Sequence, residues 1–141
     1  MTKILLAGSR QIDLSTPCCM GVLNVTPDSF SDGSTLGRES KAGSGHSSFE
    51  VDLDKVLERA EKMAAEGALF LDIGGESTRP GADLIASDIE ITRTAPVIEQ
   101  ISKNLSKPIS IDTRKAAVAK AAVDAGAGLV NDVSGFTYDD A

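Results

Sequence analysis

Two periods of apolar and polar residues alternate along this chain. Short aliphatic runs, dense enough for buried strands, are separated by stretches whose apolar residues recur every three or four positions, as on amphipathic helices. The strands are predicted at 20–25, 68–73, 109–111 and 129–130, and the helices at 49–66, 87–104 and in an alanine-rich stretch that stops at Gly126. Strands that alternate with helices predict βα units and a parallel sheet.

Local signals refine the predicted helices. Gly67 is the natural residue to follow the first helix. The spacing of Ser87 and Glu90 is that of a capping box at the start of the second helix. Pro96 lies inside that helix and predicts a kink or a separated first turn, because proline lacks a backbone donor.

Two segments fall outside this alternation. Residues 1–17 contain a short strand-like piece, which in a barrel would form a small hairpin at the base. Residues 33–48 are rich in glycine, serine and charge without periodicity, so they are predicted to form a flexible loop with a solvated His46. The adjacent Cys18 and Cys19 match no disulfide or zinc spacing and are predicted to be buried thiols.

The alternation of strands and helices leaves two architectures open. An open doubly wound sheet fits it, but the sequence has no G-x-G-x-x-G after a predicted strand. A (β/α)8 TIM barrel typically needs about 250 residues. The 141 residues would therefore form one domain over 1–141, holding about the first four βα units and incomplete at its C-terminal side.

The charge balance excludes some partners. Twenty-one acidic against 14 basic residues give a net charge of −7, which argues against nucleic acid and against an anionic membrane. The sequence has no apolar run approaching the roughly 18 residues of a membrane span and no signal-peptide pattern. The cytoplasm is the expected compartment.

Polar side chains stand where the predicted strands end, at Asn24, Asp72, Asp112, Asn131 and Asp132. The carboxyl ends of parallel strands meet at one edge of the sheet. One buried aspartate could equally be structural, but three of them with neighbouring asparagines favour a polar floor for a heterocyclic ligand. Carboxylate and carboxamide groups match the donors and acceptors of an aminopyrimidinone ring.

The loop after the second predicted strand carries a different kind of chemistry. Thr78 and Arg79 offer a hydroxyl and a guanidinium, which suit phosphate or carboxylate oxygens. Taken alone, an arginine at such a position is more often a surface residue. The two readings stay open on the residues themselves.

Four stretches resemble the signatures of dihydropteroate synthases and the wider pterin-binding family. They are MGVLNVTPDSFSDG at 20–33, DIGGESTRPG at 72–81, SIDT at 110–113 and NDVSG at 131–135. The resemblance implies the amino-terminal half of a (β/α)8 barrel of folate biosynthesis. Enzymes of this kind join hydroxymethyl-dihydropterin pyrophosphate to 4-aminobenzoate and release pyrophosphate, using Mg²⁺.

The resemblance also implies roles for individual residues. Asn24 resembles the residue associated with the metal and the pyrophosphate. Thr78 and Arg79 match the reacting end of the site, and Thr78, Asp112 and Asn131 match substrate contacts. Phe30 and Pro80, with Arg79, lie where two mobile loops build the aminobenzoate side. A full-length relative is expected to be a homodimer.

The chain departs from the family pattern at Ser34, in a longer 33–48 segment and at Arg114. Two alternatives remain open: a pterin-dependent methyltransferase domain, and a non-catalytic half-barrel that pairs with another chain. Because half of the barrel would be missing, these 141 residues alone are expected to be inactive.

Overall fold

The structure, a computed structural model, describes residues 3–27, 36–41 and 47–141. In chain order its elements are β1 (Ile4–Ala7), β2 (Arg10–Asp13), β3 (Cys19–Asn24), β4 (Gly37–Lys41), β5 (Ser47–Val51), α1 (Leu53–Ala65), β6 (Ala68–Gly74), α2 (Ser87–Asn104), β7 (Ile109–Asp112), α3 (Ala116–Ala125) and β8 (Leu129–Asn131). No helix in the described ranges is long and apolar enough to cross a membrane.

A four-stranded parallel sheet in the order β3-β6-β7-β8 forms the centre of the fold. The strand order follows the chain order, and a helix precedes each of the last three strands. The predicted βα units and parallel sheet are confirmed. Within the described residues, β3 and β8 each pair with one strand only, so they are the edges of this sheet.

The core lies between one face of the sheet and the three helices. Leu23, Ile73 and Ile111 project from neighbouring strands and are at most 1% exposed. They belong to one apolar cluster with Ile98 of α2 and Val118 of α3. Burying each such side chain stabilises the fold by roughly 1.5–3 kcal/mol, so this helix-facing layer holds the unit together.

The strand β3 is buried on one face only, which corrects two predictions. Leu23 is buried, whereas Met20 and Val22 are 41% and 45% exposed, so β3 is not a fully buried strand. Cys18 and Cys19 are both exposed rather than buried thiols. The physical reason is that α1 to α3 cover one face of the sheet and leave the other open among the described residues.

The amino-terminal segment forms the predicted hairpin. Strands β1 and β2 pair antiparallel, and the turn at Gly8 lies against the start of β8. A Cβ at Gly128 would lie 2.6 Å from the carbonyl carbon of Ala7, so the hairpin packs at the amino end of the sheet. This is the end opposite the predicted polar residues.

The segment predicted as a loop contains regular structure. Strands β4 and β5 pair antiparallel, and α1 begins at Leu53 rather than at the predicted position 49. The Asp52 carboxylate caps α1 by accepting a hydrogen bond from Lys55 N at 3.2 Å. Whether 33–48 is flexible stays a prediction, and His46 and Ser34 lie outside the described residues.

The second helix differs from its predicted details. Its N-cap is Ala86, without a side-chain cap, so the capping box at Ser87 is wrong. Pro96 sits inside one continuous helix and does not separate its first turn. Pro96 is exposed, so water can satisfy the carbonyl group that lacks its usual donor.

Candidate functional site

A polar row of three polar residues and one glycine crosses the carboxyl ends of the four parallel strands. Asn24, Gly74, Asp112 and Asn131 are direct register partners on adjacent strands. Register partners in a parallel sheet project to the same face, and here it is the face opposite the helices. The structure therefore brings together three of the residues that the sequence singled out.

Asp72 lies one layer below this row, in register with Val22 and Ser110. It is 3% exposed and accepts hydrogen bonds from Ser110 Oγ and, at 3.2 Å, from Asn131 Nδ2. Both carboxylate oxygens of Asp72 are therefore used inside the protein. Asp72 holds the side chain of Asn131 in place, and Asp112 is left to face the cleft above.

Asp112 has an unusual ionisation. Burial, followed by the negative charges of Asp72, Glu90 and Asp132, raises the pKa of Asp112 to about 6. A carboxylate in such a position gains when a ligand offers it hydrogen-bond donors or positive charge. The cleft therefore favours a ligand that brings hydrogen-bond donors or positive charge to Asp112.

Asp132 does not join the polar row, which corrects the prediction of three equivalent acids. Its carboxylate accepts hydrogen bonds from Ser134 N at 2.8 Å, Ser134 Oγ at 2.7 Å and Phe136 N at 2.9 Å. Asp132 follows Asn131 directly, so it lies past the end of β8 and folds the next turn. Local turn geometry explains its presence.

The loop after β6 forms the second wall of the site. Thr78 and Arg79 line a cleft of ≈ 110 Å³ together with Asn24 and Asp112. The remaining lining residues are Thr26, Glu76 and Ser77. Pro80 follows in the exposed part of this loop, outside that lining, and Phe30 lies outside the described residues. The Thr78 hydroxyl and the Arg79 guanidinium thus share one cleft with Asn24 and Asp112 of the polar row.

Two adjacent glycines let this cleft form. A Cβ at Gly74 would lie 2.9 Å from Asn24 Oδ1, and a Cβ at Gly75 would lie 2.6 Å from Thr94 Cγ2 of α2. Gly74 therefore makes room for a site residue, and Gly75 lets the strand end approach the helix. The sequence shows two adjacent glycines, but only the fold shows that each is needed for a different reason.

This difference predicts unequal losses of stability for two alanine variants. Gly75→Ala should lower the free energy of unfolding by about 1–3 kcal/mol, because a buried methyl group is forced against Thr94 and Glu90. Gly74→Ala should leave stability nearly unchanged, since only the end of the Asn24 side chain has to move. Urea unfolding and the Asn24 side-chain amide signals in NMR measure the two effects. Equal stability losses would contradict this assignment.

A buried ionic cluster lies directly behind the loop after β6. Lys115 Nζ donates to Glu76 Oε1 at 2.9 Å and to Glu90 Oε2 at 2.8 Å, and Arg114 pairs with Glu76 Oε2 at 3.2 Å. The side chains of Glu90 and Glu76 are 1% and 6% exposed. The sequence does not reveal this cluster directly, because Glu90 has the spacing of a helix cap. Lysine directly after a strand-end Asp-Thr-Arg was the available signal.

The ionic cluster shifts the pKa values of Lys115 and Glu76 towards their charged forms. Burial acts to lower the pKa of Lys115, but hydrogen bonds and charge from Glu90 and Glu76 outweigh it and raise the pKa. Burial acts to raise the pKa of Glu76, but Lys115, the Ile85 amide and Arg114 lower it on balance. The two shifts agree with an ion pair that is stable at neutral pH.

The site offers few protein ligands for a metal ion. Within the described residues, no group of three or more His, Cys, Asp and Glu side chains could hold one. Asn24 contributes a single amide oxygen at the cleft. Mg²⁺ usually keeps several waters and is held by one or two protein ligands plus substrate phosphates, so a single protein oxygen is compatible with an ion of this kind.

Comparisons with known proteins agree on one family. A family model described as pterin binding enzyme matches residues 20–141. The dihydropteroate synthase of Bacillus subtilis is 50% identical over 120 residues, which cover 85% of this chain and 37% of that protein. The Clostridium beijerinckii dihydropteroate synthase is 42% identical over 133 residues, covering 94% of this chain and 44% of that protein.

Solved structures show the same relationship. The Xanthomonas albilineans dihydropteroate synthase with 4-aminobenzoic acid superposes with a TM-score of 0.79 at 40% identity, covering 98% of this chain and 45% of that one. The Burkholderia cenocepacia dihydropteroate synthase complexed with 7,8-dihydropteroate gives a TM-score of 0.72 at 41% identity, covering 95% of this chain and 39% of that one.

The fold and the polar strand ends thus define an α/β protein of the TIM-barrel class, with about its first four βα units in this chain. The chain belongs to the pterin-binding enzyme family, and the resemblance of its four signature stretches is confirmed. It spans less than half the length of the curated relatives named above. The open doubly wound sheet is the wrong alternative.

Proposed function

We propose that these residues form the pterin and pyrophosphate side of a dihydropteroate synthase of folate biosynthesis. The observation that carries the proposal is the single cleft that joins Asn24, Thr78, Arg79 and Asp112 at the strand ends. The named relatives are dihydropteroate synthases, and one of their structures holds 4-aminobenzoic acid. The substrates would be 6-hydroxymethyl-7,8-dihydropterin pyrophosphate and 4-aminobenzoate.

The polar row suits the pterin. The Asp112 carboxylate would accept hydrogen bonds from ring N–H and amino groups, and Asn131 would supply an amide on the same edge. Asp72 already holds Asn131 through a hydrogen bond of 3.2 Å, so the amide is oriented before a ligand arrives. Ring analogues without these donors would leave Asp112 buried and unpaired, which provides specificity.

The other wall of the cleft suits the leaving group. Thr78 and Arg79 would hold pyrophosphate or carboxylate oxygens, and Pro80 with Phe30 would border the aminobenzoate side. Mg²⁺, held with the help of Asn24, would stabilise the negative charge that builds on the departing pyrophosphate. The amine of 4-aminobenzoate would form the new C–N bond as the C–O bond to pyrophosphate breaks, and its proton would pass to pyrophosphate or water. The amine is itself the nucleophile, so the reaction needs none from the protein.

A chimera tests this proposal. The 141 residues are joined to the remaining barrel of the Bacillus subtilis relative, and dihydropteroate formation is measured with both substrates and Mg²⁺. We expect turnover that depends on 4-aminobenzoate. The matched Thr78→Ala chimera should lose at least about tenfold in kcat/KM, because a charge-assisted hydrogen bond contributes about 1.5–3 kcal/mol.

The 141-residue polypeptide alone should release no pyrophosphate above background. Strands β3 and β8 are open edges among the described residues, and a barrel removes its edges only by closing. Turnover by the isolated polypeptide at ordinary enzyme rates would show that the rest of the barrel is not needed.

A chimera that binds pterin but ignores 4-aminobenzoate would favour a pterin-dependent methyltransferase instead. The homodimer and the cytoplasmic location stay predictions.

A further inference from the structure

Arg114 lies between two loops that are far apart in the sequence. Its Nε and Nη2 both donate to Glu76 Oε2 at 3.2 Å, at the start of the loop after β6. Its guanidinium also lies over the ring of Tyr138, 4.3 Å from the ring centroid, in the segment after β8. One side chain therefore contacts the loops that follow two different strands.

The Glu76 carboxylate, which Arg114 contacts, holds the two ends of the loop 77–84 together. Glu76 Oε1 accepts a hydrogen bond from Ile85 N at 3.1 Å, so one carboxylate bridges both ends of the loop. Lys115 Nζ reinforces the closure by donating to Glu76 Oε1 at 2.9 Å and to Ile85 O at 2.7 Å. These contacts hold the two ends of the loop close together and tie its position to that of Glu76. Any shift of Glu76 therefore displaces the whole loop.

The segment 132–141 is also anchored beside Arg114. Asp139 Oδ2 accepts a hydrogen bond from Ala116 N at 2.8 Å, which places this segment over the start of α3. In the part of the chain that the structure describes, the ring of Tyr138 reaches Glu76 through Arg114. Asp139 reaches Glu76 by a separate route, through Ala116 and the adjacent Lys115. The ring of Tyr138 thus limits where the guanidinium can sit.

We propose that Arg114 is a positioning residue that couples the loop after β8 to the loop carrying Thr78 and Arg79. Order in the segment 132–141 fixes the guanidinium, the guanidinium fixes Glu76, and Glu76 fixes the loop 77–84. The part of this proposal that concerns substrates rests on the proposed function. The coupling itself is a property of the free protein.

Hydrogen exchange in the free 141-residue chain tests the coupling. In Tyr138→Leu, the amides of 77–85 should exchange about two- to fivefold faster, the factor expected when one partly exposed cation–π contact is lost. Phe136→Leu is the matched control, because Phe136 is an exposed aromatic residue in the same segment. Exchange in α1 should be unchanged in both variants, which separates coupling from general destabilisation.

A second pair of variants shows whether Arg114 carries the effect. Arg114→Lys keeps the charge but loses the planar fork and the stacking. In that background, Tyr138→Leu should add no further acceleration at 77–85. The coupling is refuted if Tyr138→Leu leaves exchange at 77–85 equal to the Phe136→Leu control, or if its effect persists in full without Arg114.

Kinetics of the chimera test the substrate part. Tyr138→Leu should raise KM for pterin pyrophosphate about two- to fivefold with kcat nearly unchanged, and Tyr138→Phe should restore the parent value, since the ring remains. An exchange effect without a change in KM would overturn the role in substrate positioning. An inactive chimera would refute the proposed function, while the exchange result would still decide the coupling.

Discussion

Replacing Lys115 with methionine is expected to lower the free energy of unfolding by about 3 kcal/mol, because it leaves two buried carboxylates without their cation. Lys115 Nζ contacts both Glu76 and Glu90, and all three side chains are at most 9% exposed. The expected loss lies at the lower end of the range that is usual when one partner of a buried ion pair is removed, since Arg114 still pairs with Glu76. Urea unfolding followed by circular dichroism measures the change.

Lys120→Met is the matched control, in the helix α3 that begins directly after Lys115. Lys120 pairs with Asp124 at 2.7 Å, but both side chains are more than half exposed. Exposed pairs of this kind contribute at most about 1 kcal/mol, so the control should change stability little. Adding Glu90→Gln to Lys115→Met should recover part of the loss, because one unpaired charge is removed. Similar losses for Lys115→Met and Lys120→Met would refute the role of the ionic cluster.

The ionic cluster also predicts a pH dependence with a definite sign. The pKa of Glu76 is lowered by Lys115, the Ile85 amide and Arg114, which outweigh the effect of burial. A lowered carboxyl pKa contributes stability that is present above the ordinary value of 4.5 and is lost as the pH falls below it. The parent protein should therefore lose stability in acid more steeply than Lys115→Met.

Replacing Asp112 with asparagine is expected to stabilise the protein and to weaken its proposed ligand binding. Burial first, and then Asp72, Glu90 and Asp132, raise the pKa of Asp112 to about 6 from 3.8. A raised pKa means that the charged form is penalised in the folded state. Protonated Asp112 therefore contributes stability that is present below pH 3.8 and is lost as the pH rises through about 6.

Asp112→Asn should raise the free energy of unfolding by about 1 kcal/mol at pH 7, because Asp112 is only half-buried and water screens part of the penalty. This stabilisation should vanish near pH 3.5, where Asp112 is protonated in the parent protein. Asp140→Asn is the control, since Asp140 is exposed at the surface. Thermal unfolding at the two pH values measures both variants. A destabilised Asp112→Asn protein at pH 7 would contradict the electrostatic description of the polar row.

Ligand binding should change in the opposite direction. In the chimera, Asp112→Asn should weaken binding of the pterin pyrophosphate by roughly a hundredfold, because the ring N–H groups lose a charged acceptor. For the parent chimera, affinity should fall as the pH drops through about 6, where Asp112 takes up a proton. Calorimetry at several pH values measures both effects. Unchanged affinity in Asp112→Asn would remove Asp112 from the proposed pterin site.

The residues that meet at the strand ends could be named from the sequence. Asn24, Asp112 and Asn131 each follow a short apolar run, and the carboxyl ends of parallel strands must share one edge. Local periodicity also determined the three helices, because side-chain spacing along one element decides which face is apolar. Gly67 and Gly126 marked the ends of two of them. These features depend on neighbours in the chain, which the sequence displays directly.

Pairing and packing between distant segments were decided only by the tertiary structure. Glu90 has the spacing of a helix cap, but its carboxylate pairs with Lys115, 25 positions away along the chain. Asp132 matches the other strand-end acids in sequence, yet it folds a local turn. Local patterns cannot rank these competing partners, because burial in the folded state sets the free energy of each ion pair and hydrogen bond.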